Sequence, residues 1–149
     1  WETALTDYHA YLSNMGLAVV HKTGPISRMT KQGGRLVPMY VAPGPADYVG
    51  CLTGGRAVAI EAKTTSQKKS FNLPASTLHQ KEFLSRVHQC GGLAFYLVWW
   101  RFHGEVLLHP VNWVDASTMR LEDGILVPNG FQWFELAQDC QIMGGWRQE

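Results

Sequence analysis

At 149 residues, 46% hydrophobic, 17% charged and carrying six tryptophans, the chain has the length and composition of one folded domain, spanning 1–149, with a core of its own; disordered and low-complexity classes are excluded. The three cysteines, Cys51, Cys90 and Cys140, are odd in number, widely spaced and never in a Cys-x-x-Cys pair, which argues against a disulfide framework or a zinc site and for a reducing compartment. The net charge of +1 hides an asymmetry: from Lys22 to Arg86 ten Lys/Arg face three acids, whereas elsewhere three face nine, so the basic half is suited either to phosphates or to an ordinary solvated face.

In chain order, Leu5, Tyr8, Leu12 and Met15 recur at helical spacing ahead of Gly16, predicting a helix over about Glu2 to Met15. Leu17 to Lys22 reads as a strand, ended by the turn signal Thr23-Gly24-Pro25. Ser27 to Ala46 holds three Gly, three Pro and three basic residues around an apolar run from Leu36, the composition of a protruding hairpin or loop. Asp47 to Leu52 and Arg56 to Lys63, joined by Thr53-Gly54-Gly55, predict a β-hairpin. Leu78 to Gln89 predicts a second helix closed by Gly91-Gly92, and Leu93 to Trp100 a central buried strand with Glu105 to His109 pairing beside it. Val111 to Ala116 reads as a short helix and Phe131 to Leu136 as a strand; the C-terminal residues show little pattern. The order indicates an α/β domain with a central mixed sheet flanked by helices. At eight residues, the run from Leu93 is too short to span a membrane, and the start lacks a signal peptide, so a soluble, intracellular protein is expected. Trp1 in place of Met suggests that an N-terminal piece has been removed.

Strand alternation puts Glu61 and Lys63 on one face, with Ile60 and Ala62 on the other. Asp47 lies fourteen positions before Glu61, and the Gly54-Gly55 turn between them brings the two carboxylates together. Two hard oxygen ligands with a main-chain carbonyl suit Mg²⁺, and a lysine beside them suits charge developing on a phosphate, which points to phosphodiester hydrolysis. Read alone, Glu-x-Lys also describes an ion pair on the solvated face of an edge strand. The six histidines lack metal-ligand spacing and read as structural, and Trp99, Trp100, Trp113 and Trp133 read as core.

The run Asp47-Tyr48-x-Gly50, Gly55-Arg56, Ile60-Glu61-Ala62-Lys63-x-Thr65, Ser70-Phe71-x-Leu73 and His79-Gln80 resembles the RecU-type Holliday junction resolvases of bacteria and their phages, within the PD-(D/E)XK nuclease superfamily. Gly16-x-Ala18-x-Val20-x-Lys22 with Pro25 upstream, and Gly92-x-Ala94-Phe95 downstream, extend the likeness over about residues 2 to 110. The resemblance implies a restriction-endonuclease-like fold, a homodimer, and Mg²⁺-dependent (Mn²⁺ substituting) paired nicking of four-way junction DNA in the cytoplasm of a bacterial cell, the gene being cellular or phage-borne. It makes Asp47 and Glu61 metal ligands together with the Ala62 carbonyl, Lys63 the catalytic lysine, and Gln80 a partner of phosphate or water. Glu2 stands where related nucleases often carry an extra acid near the metals; it also suits the N-terminus of a helix dipole. The stalk, about 27–46, would enter the junction centre, with Arg28, Lys31 and Arg35 on phosphates and Met29, Met39 and Tyr40 bracing the branch point; Lys22, Lys68 and Lys69 complete the expected DNA contacts. The chain departs from the family in having Ala46 where a hydroxyl residue is usual, and Thr23-Gly24-Pro25 for Pro-Thr-Pro. Two other readings share these residues: a restriction-like or nicking nuclease on duplex or flap DNA, and a catalytically silent junction-binding recombination factor.

Overall fold

The computed structural model describes residues 1–138, so Cys140 and the pattern-poor C-terminal stretch lie outside the described residues. In chain order the elements are α1 (Glu2–Asn14), β1 (Ala18–Lys22), β2 (Ile26–Gln32), β3 (Arg35–Ala42), β4 (Tyr48–Leu52), β5 (Ala57–Thr65), β6 (Ser70–Asn72), α2 (Leu78–Gln89), β7 (Leu93–Trp100), β8 (Glu105–Pro110), β9 (Thr118–Arg120), β10 (Ile125–Leu126) and α3 (Trp133–Gln138). Six strands form one mixed sheet in the order β1-β4-β5-β7-β8-β10. Only β5 and β7 pair in parallel, from Val58↔Leu93 to Thr65↔Trp100, and α2 makes the crossover that a parallel pair needs.

Alternation sorts the sheet's side chains onto two faces. One face packs Val58, Ile60, Phe95 and Leu97 against Leu5, Tyr8 and Leu12 of α1 and against Trp133 of α3. The other packs Ala59, Ala94, Tyr96, Val98 and Trp100 against Leu84 of α2 and the small β6–β9 ladder, through Phe71, Leu73 and Met119. β7 reads as an unbroken apolar run because both of its faces are covered. Within it, each of the fully buried Leu93, Phe95, Leu97 and Val98 contributes about 1.5–3 kcal/mol relative to exposure. At Gly50 the neighbouring β1 approaches so closely that a β-carbon would run into the Val19 carbonyl oxygen, which accounts for a glycine inside β4.

The Gly- and Pro-rich segment is a two-stranded hairpin, β2–β3, separate from the main sheet and paired from Ile26↔Ala42 to Gln32↔Arg35. Its tip is Gly33-Gly34, with φ of +58° and +77°, the positive values that a two-residue primed turn demands. The hairpin therefore starts one residue earlier than the expected stalk and ends at Ala42, and a linker carries the chain to Asp47.

Two expectations are corrected. Phe131 to Leu136 is not a strand: the chain turns helical from Trp133, because Trp133 is buried against α1 and its indole donates to His9 Nε2 at 2.9 Å. Packing of one large ring overrides the β-propensity of a short aromatic run. Of Val111 to Ala116 only Val111–Trp113 is helical, as a single 3₁₀ turn, and Ala116 sits at φ 51°. Trp100 and Trp133 are fully buried, and Trp99 and Trp113 pack against the core.

Candidate active site

The β4–β5 ladder runs from Cys51↔Ala57 to Tyr48↔Ile60, and side chains continue it beyond that point. The Asp47 amide donates to Glu61 Oε1 at 3.0 Å, and the Ala62 amide donates to Asp47 Oδ2 at 2.9 Å. Two backbone donors thus fix two carboxylates side by side just past the hairpin's last pair. The Asp47 carbonyl in turn accepts from the Thr23 amide at 2.8 Å, which ties the site to the chain leaving β1.

Lys63 lies on the same face as Glu61, towards α2. Its ammonium is 3.2 Å from Glu61 Oε2 and donates to Gln80 Oε1 at 2.7 Å. Four sequence-predicted residues, Asp47, Glu61, Lys63 and Gln80, are therefore joined through consecutive bonds from β4 to α2. The solvated-face alternative for Glu61 fails, because Glu61 is only 2% exposed. Burial, and next the Asp47 charge beside it, push the Glu61 carboxyl up to about 7 against the opposing pull of Lys63. Such a pair of crowded hard oxygens is relieved by a cation, so the donor set fits a hard divalent ion. Asp47 and Gln80 also line a pocket of about 240 Å³ with Thr23, Pro25 and Tyr40, so the base of the β2–β3 hairpin borders the site.

Other predicted residues are placed elsewhere. Glu2 is exposed in the first turn of α1, a helix that packs on the sheet face opposite Glu61, and among the described residues no third acidic, His or Cys side chain joins Asp47 and Glu61 in a metal-holding group. Lys22 is exposed at the end of β1 opposite Tyr48. Arg28, Lys31 and Arg35 are exposed on the hairpin but do not share a side: Arg28 and Arg35 go with Met39, while Lys31 goes with Met29, Leu36 and Tyr40. Lys68 and Lys69 are exposed in the segment after β5, and the Lys68 ammonium stands 4.8 Å over the Phe102 ring.

Two neighbours were missed in the sequence. Tyr96 is the parallel-register partner of Glu61 and is sealed from solvent, and its hydroxyl has no hydrogen-bond partner. Burial and the Glu61 charge push that hydroxyl's pKa up. It was hidden in an apolar run whose register cannot be read locally. Thr23 supplies a hydroxyl, bonded to the Ala46 carbonyl, where Ala46 itself has none.

The family model for Recombination protein U (RecU) matches residues 1–126, a stretch that holds the carboxylate pair, Lys63, Gln80 and both hairpin strands. The chain belongs to the RecU family. A curated relative, the Holliday junction resolvase RecU of Streptococcus gordonii, is 28% identical over 121 residues, covering 76% of this chain and 60% of the relative; the chain thus spans about 60% of that relative's length. Among solved structures, Hjc of Archaeoglobus fulgidus, described as a Holliday junction resolvase from an archaeal hyperthermophile, aligns with a TM-score of 0.50 and 18% identity over 83% of this chain and 94% of Hjc. The likeness to Hjc is one of fold, the mixed sheet flanked by helices of restriction-endonuclease-like proteins.

Proposed function

We propose that this RecU-family chain forms a single nuclease domain, a divalent-metal-dependent endonuclease that resolves four-way DNA junctions as a homodimer, the two-fold dimer matching the junction's pseudo-two-fold. The observation that carries the reading is the bonded set Asp47, Glu61, Lys63 and Gln80, with Glu61 buried and crowded by Asp47. Membership of the family supports it. Asp47, Glu61 and the Ala62 carbonyl would hold the ion, Mg²⁺ with Mn²⁺ able to substitute, and Glu2 is a further ligand only if α1 carries it there. When bound, the ion supplies Lewis acidity to the scissile phosphate and a water nucleophile at neutral pH.

The remaining steps belong to the protein. Backbone amides hold both carboxylates in place before any ligand arrives, so little reorganisation remains. Lys63, steadied between Glu61 and Gln80, offers its ammonium to the charge that grows on the phosphate. Gln80, once released from Lys63, is left with an amide to orient phosphate or water. Outside the site, Lys22, Lys68 and Lys69 contact backbone phosphates. The β2–β3 hairpin reaches the junction centre, with Arg28, Arg35 and Met39 on one side and Lys31, Met29 and Tyr40 on the other, the three cations meeting phosphates and Met29, Met39 and Tyr40 bracing the branch point. No helix among the described residues is long and apolar enough to cross a membrane, and we place the protein in the cytoplasm, where its DNA is.

The test is a cleavage assay on labelled four-way junctions beside matched duplex, with Mg²⁺, Ca²⁺ or chelator. Paired symmetric nicks on the junction, lost in Asp47→Asn while binding survives, are expected. Equal cutting of duplex moves the function to a restriction-like or nicking nuclease. Binding without any cutting moves it to a silent junction-binding factor.

A further inference from the structure

Past Lys63 the chain runs into a second surface, built from three segments locked together. Thr65, the last residue of β5, accepts from the Arg101 amide at 3.0 Å, and His103 Nε2 lies 2.7 Å from the Lys68 carbonyl oxygen. The Lys68 ammonium over the Phe102 ring adds a cation–π contact, and the Lys69 carbonyl accepts from the Leu121 amide at 2.8 Å. Ser70 then pairs with Arg120 across the β6–β9 ladder. Lys69, Ser70, Arg120, Leu121 and Glu122 line a cleft of about 430 Å³.

This surface differs from a random scatter of lysines. Its backbone is bonded at every segment, so the cations are presented without an ordering cost in the chain. Lys69 and Arg120 take part in neither of the ion pairs found among the described residues, Lys63–Glu61 and Arg86–Glu82. Phe102 is 60% exposed beside Lys68. Among the residues that line the cleft are two cations and a single acid, Glu122. Position adds to this: Thr65 lies four residues beyond Glu61 on β5, about 13 Å at the rise of a strand, close to four base-pair steps of about 3.4 Å.

We infer that this platform, centred on Lys69 and Arg120 and edged by Lys68 and Phe102, binds the phosphate backbone of the duplex arm that flanks the cut. The inference rests on the proposed function and adds residues to it: Arg120 and Phe102 become DNA contacts, and Lys68 and Lys69 act on an arm. The contact is to phosphate and sugar, so it reads no sequence. It also divides labour with the hairpin: the hairpin meets only a branched centre, whereas the platform meets an arm that junction and linear duplex share.

The experiment measures binding of a junction and of a linear duplex with the same arm sequence, over a series of salt concentrations, in the full chain carrying Asp47→Asn to prevent cutting. Lys69→Ala and Arg120→Ala should each reduce the salt slope by about one and weaken both substrates by the same factor. Phe102→Ala should weaken both several-fold with the slope unchanged. Arg86→Ala, at a cation paired with Glu82, should change nothing. Arg120→Gln keeps a long polar side chain in β9 and should reproduce the loss, which separates charge from fold. Unchanged slopes in both charge variants, in a parent that binds DNA, overturn the platform alone. A parent that binds neither substrate overturns the functional reading and the platform together.

Discussion

His9 and His109 are both sealed in the interior, and each accepts from an indole: His9 from Trp133 at 2.9 Å and His109 from Trp100 at 3.2 Å. Burial holds each imidazole down at about 4, against 6.5 in an open chain. Between those values the unfolded chain binds more protons than the folded one, so the stability each contributes is complete above pH 6.5 and is lost as pH falls towards 4. The loss is on the order of 3 kcal/mol per histidine. Glu61 has the opposite sign. Its carboxyl, raised to about 7 from 4.5, is protonated earlier in the folded state, so folding gains as pH falls across that window. In chelator, the urea midpoint of the wild type should therefore drop modestly from pH 7.5 to pH 5, and that of Glu61→Gln should drop further. An equal drop in both would refute this balance. Glu61 and Lys63 were legible in the sequence because alternation along one strand is a local property. Tyr96 and His9 were not, since their neighbours are set by register and by a helix more than a hundred residues away.

At the scale of elements, the β2–β3 hairpin carries the sharpest mutational forecast. Replacing Lys31 and Arg35 by Glu should weaken junction binding and flatten its salt dependence, while linear duplex is spared. Equal losses on duplex would transfer those residues to the arm, and unchanged junction binding would remove the hairpin from recognition. The sequence announced a protrusion here through its glycines and prolines, yet the ladder itself was hidden, because Pro38 and two exposed faces blur the alternation. The β4–β5 hairpin was plainer: Gly54-Gly55 marks its turn, and Tyr48, Leu52, Val58 and Ile60 recur on one core-facing side. The β6–β9 ladder pairs two three-residue strands some fifty positions apart, too short for any pattern to betray them. α3 was misread because so short an aromatic-rich stretch, broken by Gln132 and Glu135, fits either period until its partner is known.

For the whole molecule, the family match ends at residue 126 but the core does not. Val127, Trp133 and Phe134 are buried beyond it, packed with Leu5, Tyr8 and Phe95. Removing a buried Trp alone costs about 3–5 kcal/mol, a large part of the about 5–15 kcal/mol that holds a typical domain. A chain cut after Leu126 is therefore expected to show no cooperative melting transition, and a sharp transition at the wild-type temperature would refute this. The two ends of the described chain also clasp one another: the Trp1 indole donates to the Gly130 carbonyl at 2.6 Å, and Trp133 reaches His9. With α1 held there and β1 laddered to β4, the first thirty or so residues are secured by contacts outside the hairpin turn that links them to the rest. A single proteolytic nick at Gly33-Gly34 should accordingly leave two fragments that travel as one particle in gel filtration and part only in denaturant, a natural split point for reassembling the protein from separately made pieces.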